Sequence, residues 1–313
     1  MSVPPHGRYA PSPSGELHLG NGSTALLAWL SVRARGGRFS MRIEDLDRAR
    51  SKLEYVERCL EDLSWLGIDW DGELLTQSDE TSRYQAAFEA LRSSGRLYPC
   101  FCRRKDIAAA ASAPQEPGEM RRYPGLCRAL GAGEAASRLL AGERHAWRFR
   151  VEPEQRPTFV DLVHGEWGAD RREPSDFVVY RADGVPAYQL AVVVDDAAQG
   201  ITEVVRGDDL LSSTPAQLLL YEALGHPAPQ FAHVPLLLGE DGARLSKRHS
   251  GITLREVRES GLSAEQVVGH LAKLLGLRDD SSPIAARDLV QGFTIQSLQT
   301  VSPGYQVAPD NWR

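Results

Sequence analysis

The sequence predicts an α/β protein built on a parallel sheet, and three observations predict it. Over residues 7–91, short strand-like runs alternate with amphipathic helical stretches, the pattern left by βαβ connections. Leu190-Ala191-Val192-Val193-Val194 is an unbroken apolar run ending in Asp195-Asp196, as expected of a parallel strand covered on both faces. The 313 residues are 42% hydrophobic and 25% charged, an ordinary balance for a folded chain with two or three domains.

Residues 7–10 read as a first strand, followed by the loop Pro11-Ser12-Pro13-Ser14-Gly15-Glu16. Residues 21–35 read as a helix whose apolar face is Leu26, Leu27, Trp29 and Leu30, and residues 39–43 as a second strand. Residues 55–66 carry Val56, Cys59, Leu60, Leu63 and Leu66 at helical spacing and stop at Gly67. That spacing makes Cys59 a core thiol and not a nucleophile. A further helix spans residues 84–91 and ends at Ser93-Ser94-Gly95.

The texture changes at Leu97. Residues 97–180 hold three of the four cysteines, several prolines, and short apolar stretches at 158–163 and 177–180, which predicts an inserted α+β module. Arg103-Arg104-Lys105, Arg121-Arg122, residues 144–150 and Arg171-Arg172 also crowd into this stretch. Singly, each cluster reads as a solvated face; together they suit an RNA surface. Beyond the run at 190–194, Ser213-Thr214-Pro215 opens a helix, with its hydroxyls as candidate caps and proline in the first turn. Residues 234–238 read as another strand, and from residue 263 the chain is helical with a loose tail.

The formal net charge of −6 argues against a non-specific nucleic-acid coat. It leaves room for a selective RNA enzyme, whose affinity depends on local arginines. No apolar run approaches the ~20 residues of a membrane span. Met1-Ser2-Val3-Pro4-Pro5-His6 lacks a signal pattern, and four cysteines are too few for a disulfide scaffold. A cytoplasmic protein without membrane contact is expected.

Two segments carry chemistry. In the first, residues 8–21, Gly15 and Gly20 permit tight backbone paths, and the following helix offers free N–H groups to an anion. It is neither a Walker loop nor G-x-G-x-x-G. His18 there is either a capping histidine or a phosphate donor. In the second, Arg244-Leu245-Ser246-Lys247-Arg248 follows Gly239 and Gly242, and Lys247 offers a compact charge to a polyphosphate.

With both segments in place the chain resembles the class I aminoacyl-tRNA synthetases. His18-Leu19-Gly20-Asn21 stands at their HIGH position and residues 244–248 at their KMSKS position. Five co-linear motifs resemble the glutamyl branch: residues 8–15, Arg42-Ile43-Glu44-Asp45-Leu46-Asp47, residues 188–196, Val205-Arg206-Gly207 and Leu245-Ser246-Lys247-Arg248. Only 65 residues follow Arg248, too few for the anticodon-binding part of a full glutamyl-tRNA synthetase. With Cys100-Phe101-Cys102 and Tyr123-Pro124-Gly125-Leu126-Cys127 in the insertion, the chain is similar to the glutamyl-queuosine tRNA(Asp) synthetases, a family of short paralogues.

That resemblance implies a Rossmann-like parallel sheet with an inserted zinc-containing α+β module and a short helical C-terminal part. The divisions implied are 1–96 and 181–250 for the two halves of the nucleotide-binding domain, 97–180 for the insert and 251–313 for the C-terminal region. The implied activity is ATP-dependent formation of glutamyl-adenylate, with Mg²⁺, and transfer of glutamate to queuosine in tRNA(Asp) by a monomer. The rivals are a truncated enzyme charging the 3′ end of tRNA(Glu), and a non-catalytic binder of tRNA or glutamate.

Glutamate needs cations for two carboxylates and an anion for its amine. The resemblance assigns L-glutamate to Arg8, Ala10, Ser12, Glu44, Tyr188 and Arg206. It assigns ATP to His18, Gly20, Asn21, Leu245, Ser246 and Lys247, with His18 and Lys247 catalytic. The sequence also allows Arg206 a salt bridge with Asp208 or Asp209, and Glu44 a pair with Arg42 or Arg48. Both motifs depart from the family: Asn21 replaces a histidine, and Leu245 and Arg248 alter the KMSKS string. Cys100, Cys102 and Cys127 can share a structural zinc, which wants a fourth ligand. The resemblance supplies Tyr123; His145, Glu119, water, or simply three reduced thiols in a small core are the alternatives.

Overall fold

The computed structural model describes residues 3–103, 105–107, 122–168, 175–239, 252–300, 305–306 and 312. Strand β1 (His6–Tyr9), helix α1 (Leu19–Arg33) and strand β2 (Arg38–Ile43) form a parallel unit with His6 opposite Arg38 and Tyr9 opposite Met41. Helix α2 (Leu53–Trp65) carries the chain to β3 (Leu75–Thr76), which pairs with β2. Helix α1 lies directly on β1: a Cβ on Gly7 would meet Val32 Cγ2 at 2.5 Å, so only glycine fits there.

After α3 (Thr81–Ser93) come β4 (Leu97–Cys100), α4 (Ala132–Leu140), β5 (Ala146–Phe149), β6 (Phe159–Asp161), β7 (Gly165–Trp167) and β8 (Phe177–Tyr180). β4, β5 and β8 build a small antiparallel sheet. β6 and β7 form a hairpin that joins a different sheet, of order β7-β6-β10-β9, completed by β9 (Glu203–Gly207) and β10 (Gln230–Val234). Residues 159–167 thus lie within the predicted insert in sequence but extend the central sheet, with Phe231 opposite Asp161. Thr202 N donates to His6 O at 2.8 Å, which sets β9 beside β1 and brings these two sheets together.

The predicted strand at 190–194 is a helix, α5 (Tyr188–Gln199). Five consecutive apolar residues fit either a doubly covered strand or a helix buried all round, and periodicity cannot separate them. Residues Gln189 through Asp196 are all buried, under α3, β8 and α6 (Thr214–Leu224). Gly200, at φ +65°, closes the helix in the left-handed conformation that glycine adopts without strain. The single strand expected over 234–238 is also two pieces: β10 stops at Val234, and Leu237–Leu238 form β11. Pro235 between them has no N–H to continue a ladder. At the start of α6, Pro215 occupies the first turn as expected, but Ser213 makes no side-chain cap.

Helices α7 (Leu254–Glu259) and α8 (Ala264–Leu274) each begin with a capping box, on Thr253 and Ser263. Short 3₁₀ turns follow to Thr300, and β12 (Tyr305–Gln306) pairs with β11. Cys59 is buried in the core between α1, α2 and the C-terminal helices, as its spacing predicts. Among the described residues no helix is long and apolar enough to cross a membrane.

Candidate active site

The ends of β1, β2 and β9 and the last turns of α5 meet around a set of buried charges. Arg8, 4% exposed, reaches Asp196 of α5 through Nε (3.1 Å) and Nη2 (3.4 Å). Arg42, fully buried on β2, shares that carboxylate through Nη1 at 2.6 Å and also donates to Gln199 Oε1 at 2.8 Å. Its Nη2 donates to Glu44 Oε1 at 3.2 Å. Behind it, Asp195 accepts from Gln77 Nε2 at 2.7 Å and from the Tyr84 hydroxyl at 2.9 Å.

Buried ions persist only when paired and hydrogen-bonded, and this ladder fixes each member. Burial alone would raise the pKa of Asp196, but Arg42 and Arg8 outweigh it and hold that carboxyl below its ordinary value. At Glu44 burial wins over Arg42 and Arg8, and its pKa lies above the usual carboxylate value. The pair with Arg42 that the sequence allowed is therefore formed, within the larger network. Glu44 N donates to Pro11 O at 2.9 Å, which ties the loop carrying half-buried Ala10 and exposed Ser12 to the same place.

Arg206, 5% exposed on β9, sits on different company. Nε donates to His233 Nε2 at 3.0 Å, Nη2 to Thr214 Oγ1 at 2.8 Å and Nη1 to the Tyr188 hydroxyl at 3.3 Å. The Thr214 hydroxyl expected to cap α6 is used here instead. His233 Nδ1 lies 2.6 Å from Asp161 Oδ2. Burial, and next the charge of Arg206, lower the His233 pKa to about 4 despite Asp161, so the ring is neutral near neutral pH. The three side chains that accept from Arg206 among the described residues are then uncharged, and a buried guanidinium in that setting favours an added anion. Tyr188, at the start of α5 and 38% exposed, feels Arg206, Glu44, Arg8 and Asp196 together. The four charged or phenolic residues expected around glutamate thus lie near enough to act on one another.

His18 is the N-cap of α1. Its Nδ1 accepts from Asn21 N at 3.3 Å, while Asn21 Oδ1 accepts from His18 N at 3.1 Å. The capping reading holds, and it has a chemical consequence: a neutral ring accepting at Nδ1 carries its proton on Nε2, as a donor. A Cβ on Gly20 would lie 3.0 Å from the His18 ring, so glycine lets the ring lie across the helix start. Leu19 N donates to Ile252 O at 3.0 Å and Leu254 N to Leu17 O at 2.9 Å, which fastens the chain next to α7 alongside His18. Residues 244–248, with Leu245, Ser246 and Lys247, lie outside the described residues, as do Arg104, Arg121, Arg171, Arg172 and Glu119.

In the small sheet, one sulfur each of Cys100, Cys102 and Cys127 lie within 4.8 Å of one another. The Tyr123 hydroxyl stands 3.5 Å from Cys100 Sγ and 3.4 Å from Cys102 Sγ, and accepts from Cys127 N at 2.7 Å. Three thiols and a phenol converging on one point fit a four-coordinate metal. His145 turns instead toward Glu143 O and the rings of Phe101 and Trp147. Arg148, counted among the cationic clusters, also faces inward: Nε donates to Cys100 Sγ at 3.2 Å and its guanidinium stacks 3.8 Å from the Tyr123 ring centre.

Arg42, Asp161, Asp195, Asp196 and His233 have no place in the sequence-based site. Their signal is a charged or titratable residue embedded in an apolar run, as in Phe39-Ser40-Met41-Arg42-Ile43 and Phe231-Ala232-His233-Val234.

Residues 6–301 match the family described as tRNA synthetases class I (E and Q), catalytic domain. Two curated relatives are called glutamyl-Q tRNA(Asp) synthetase. The one from Symbiobacterium thermophilum is 50% identical over 301 residues, covering 93% of each chain. The one from Nocardia farcinica is 50% identical over 289 residues, covering 92% of this chain and 88% of the relative. The crystal structure of a glutamate tRNA ligase from Elizabethkingia meningosepticum in complex with its amino acid superposes with a TM-score of 0.83 at 26% identity, over 99% of this chain and 68% of that one. The chain belongs to the class I tRNA synthetases of the E and Q group.

Proposed function

We propose that the chain activates L-glutamate with ATP and transfers the glutamyl group to the queuosine base of tRNA(Asp). The observation that carries the first half is the clustering of Arg8, Glu44 and Arg206 about Tyr188. Two guanidiniums suit two carboxylates and Glu44 suits the ammonium. Ala10 and Ser12 line the floor. Glutamine would leave a buried guanidinium facing a neutral amide, a strong basis for rejection. The acceptor follows from the names of the two half-identical relatives.

In the first step a carboxylate oxygen of glutamate attacks the α-phosphorus of ATP, and pyrophosphate leaves. No enzyme nucleophile is needed; the protein must position the reactants and stabilise phosphate charge. His18 donates from Nε2, the first turn of α1 offers the Gly20 and Asn21 backbone, and Lys247, with Leu245 and Ser246, supplies contacts to the phosphates. Mg²⁺ bound with ATP neutralises phosphate charge. In the second step a hydroxyl of the queuosine cyclopentene ring attacks the acyl carbon and AMP leaves.

Cys100, Cys102, Cys127 and Tyr123 are the residues that would hold a structural zinc, which when bound cross-links the strand end at Cys100 to the turn at Cys127. Arg148 on Cys100 favours the thiolate that zinc requires.

The test offers labelled glutamate to tRNA(Asp) containing queuosine, the same tRNA without it, and tRNA(Glu). Labelling of the first alone is expected. Labelling of tRNA(Glu) alone would transfer the activity to the 3′ end of that tRNA, and no labelling with no glutamate-dependent pyrophosphate exchange would leave a binder.

A further inference from the structure

We propose that His233 is the positioning residue for Arg206, aimed by Asp161, and that this buried Asp–His–Arg chain sets the affinity of the pocket for glutamate. The inference rests on the reading of Arg206 as a carboxylate ligand. It concerns the residues behind Arg206, His233 bonded to it and Asp161 bonded to His233.

Proton placement follows from the donors. An arginine Nε can only donate, so His233 Nε2, 3.0 Å away, must accept. The proton of the neutral ring is then on Nδ1, and Asp161 Oδ2, 2.6 Å from it, accepts. Asp161 cannot swing to another role, because its Oδ1 also accepts from Val163 N and His164 N at 3.0 Å each, and its carboxylate from His233 N. These bonds keep Asp161 ionised although it is 1% exposed. The ring itself is fully buried, stacked on Phe231.

Two consequences follow. The ring is locked in the one tautomer that presents a lone pair to Arg206. The negative charge on Asp161 is also held one imidazole away from the guanidinium, so it orients Arg206 without occupying the nitrogens that a substrate carboxylate needs. Arg8 differs here, since Asp196 binds its Nε and Nη2 directly. Asp161 comes from β6, so the hairpin of residues 159–167 reaches the amino-acid pocket through this chain.

The experiment measures glutamate- and ATP-dependence of pyrophosphate exchange in the full chain for His233→Leu, His233→Gln and Asp161→Asn, with thermal melting of each. Losing a charge-assisted hydrogen bond that aims a ligand group is expected to raise KM for glutamate about tenfold or more in His233→Leu, with kcat at saturation and KM for ATP changed less than about threefold. His233→Gln, which keeps an acceptor near Nε2, is expected to recover most of the loss. Asp161→Asn, nearly isosteric, is expected to raise KM for glutamate alone by several-fold. A normal KM for glutamate in both His233→Leu and Asp161→Asn overturns the proposal. So does an equal fall in kcat/KM for glutamate and for ATP in His233→Leu that His233→Gln does not restore. If His233→Leu does not fold, Asp161→Asn decides alone. Absence of glutamate-dependent exchange in the unsubstituted protein would overturn the functional reading itself, a separate outcome.

Discussion

Glu44 shows how much a single residue's chemistry depends on what is packed behind it. Its pKa is raised because burial costs the ionised form more than Arg42 and Arg8 return. Capture of an ammonium needs the ionised form, so affinity for glutamate should fall as pH drops, starting above the range of an ordinary glutamate side chain. Glu44→Gln removes that titration: KM for glutamate should rise about tenfold or more at neutral pH and lose its acid-limb pH dependence. Equal pH profiles for the two proteins would remove Glu44 from ammonium binding. Arg8, Glu44, Tyr188 and Arg206 were legible because each sits in a recognisable string. Arg42, Asp161, Asp196 and His233 were not, because a residue that positions another has no substrate-dictated spacing. Its partners are set by which strands lie side by side, as when Arg42 on β2 meets Asp196 on α5, 154 positions apart.

At the level of elements, amphipathic segments were read well and fully buried ones poorly. Helix α2 has a polar and an apolar side, so its spacing reveals it; α5 is covered on every side, so its apolar run looks like a strand. Helix α2 also carries an anomaly inside its apolar side. Asp62 is 4% exposed and its Oδ2 has no hydrogen-bond partner. Burial, with Glu16 and Glu61 adding to it against Arg258 and Arg255, pushes its pKa up to about 6. The folded protein therefore holds this proton more tightly than the unfolded chain, where the group titrates near 3.8. Stability linked to Asp62 is present below that value and is lost as pH rises toward about 6. A shift of this size corresponds to roughly 2–3 kcal/mol of linkage. In urea unfolding, Asp62→Asn should gain stability relative to the unsubstituted protein on going from about pH 4 to about pH 8, by on the order of 2 kcal/mol. A difference that does not change with pH would mean that Asp62 is ionised at no cost in the fold.

Across the whole molecule, two large cores hold the sheets, the second taking Leu97, Phe149, Phe177 and Val179 from β4, β5 and β8, while a third, much smaller cluster lies at the Cys100 end of β4. That third cluster consists of Tyr98, Cys100, Tyr123 and Cys127, with Phe101, Cys102, Ile107 and Leu130 packed against it. So few apolar side chains bury little area, and half-buried Cys102 adds little to it. A bound metal would supply what this core lacks, since binding free energy gained only in the folded state is folding free energy. One zinc per chain is therefore expected in purified protein by elemental analysis, and Cys127→Ser should lower that content. Stripping the metal with a chelator should speed amide hydrogen exchange in β4 and residues 122–130, while the amides of β1, β2, β9 and β10 keep their protection. The large cores share no cysteine of the cluster, so the loss has no path to them through the metal. Uniform acceleration across both regions would show instead that the cluster holds the whole fold together. Unchanged exchange with no zinc in the sample would mean that the three thiols pack as reduced side chains and that the bonds of Arg148, Tyr123 and Cys127 hold this small cluster without a metal.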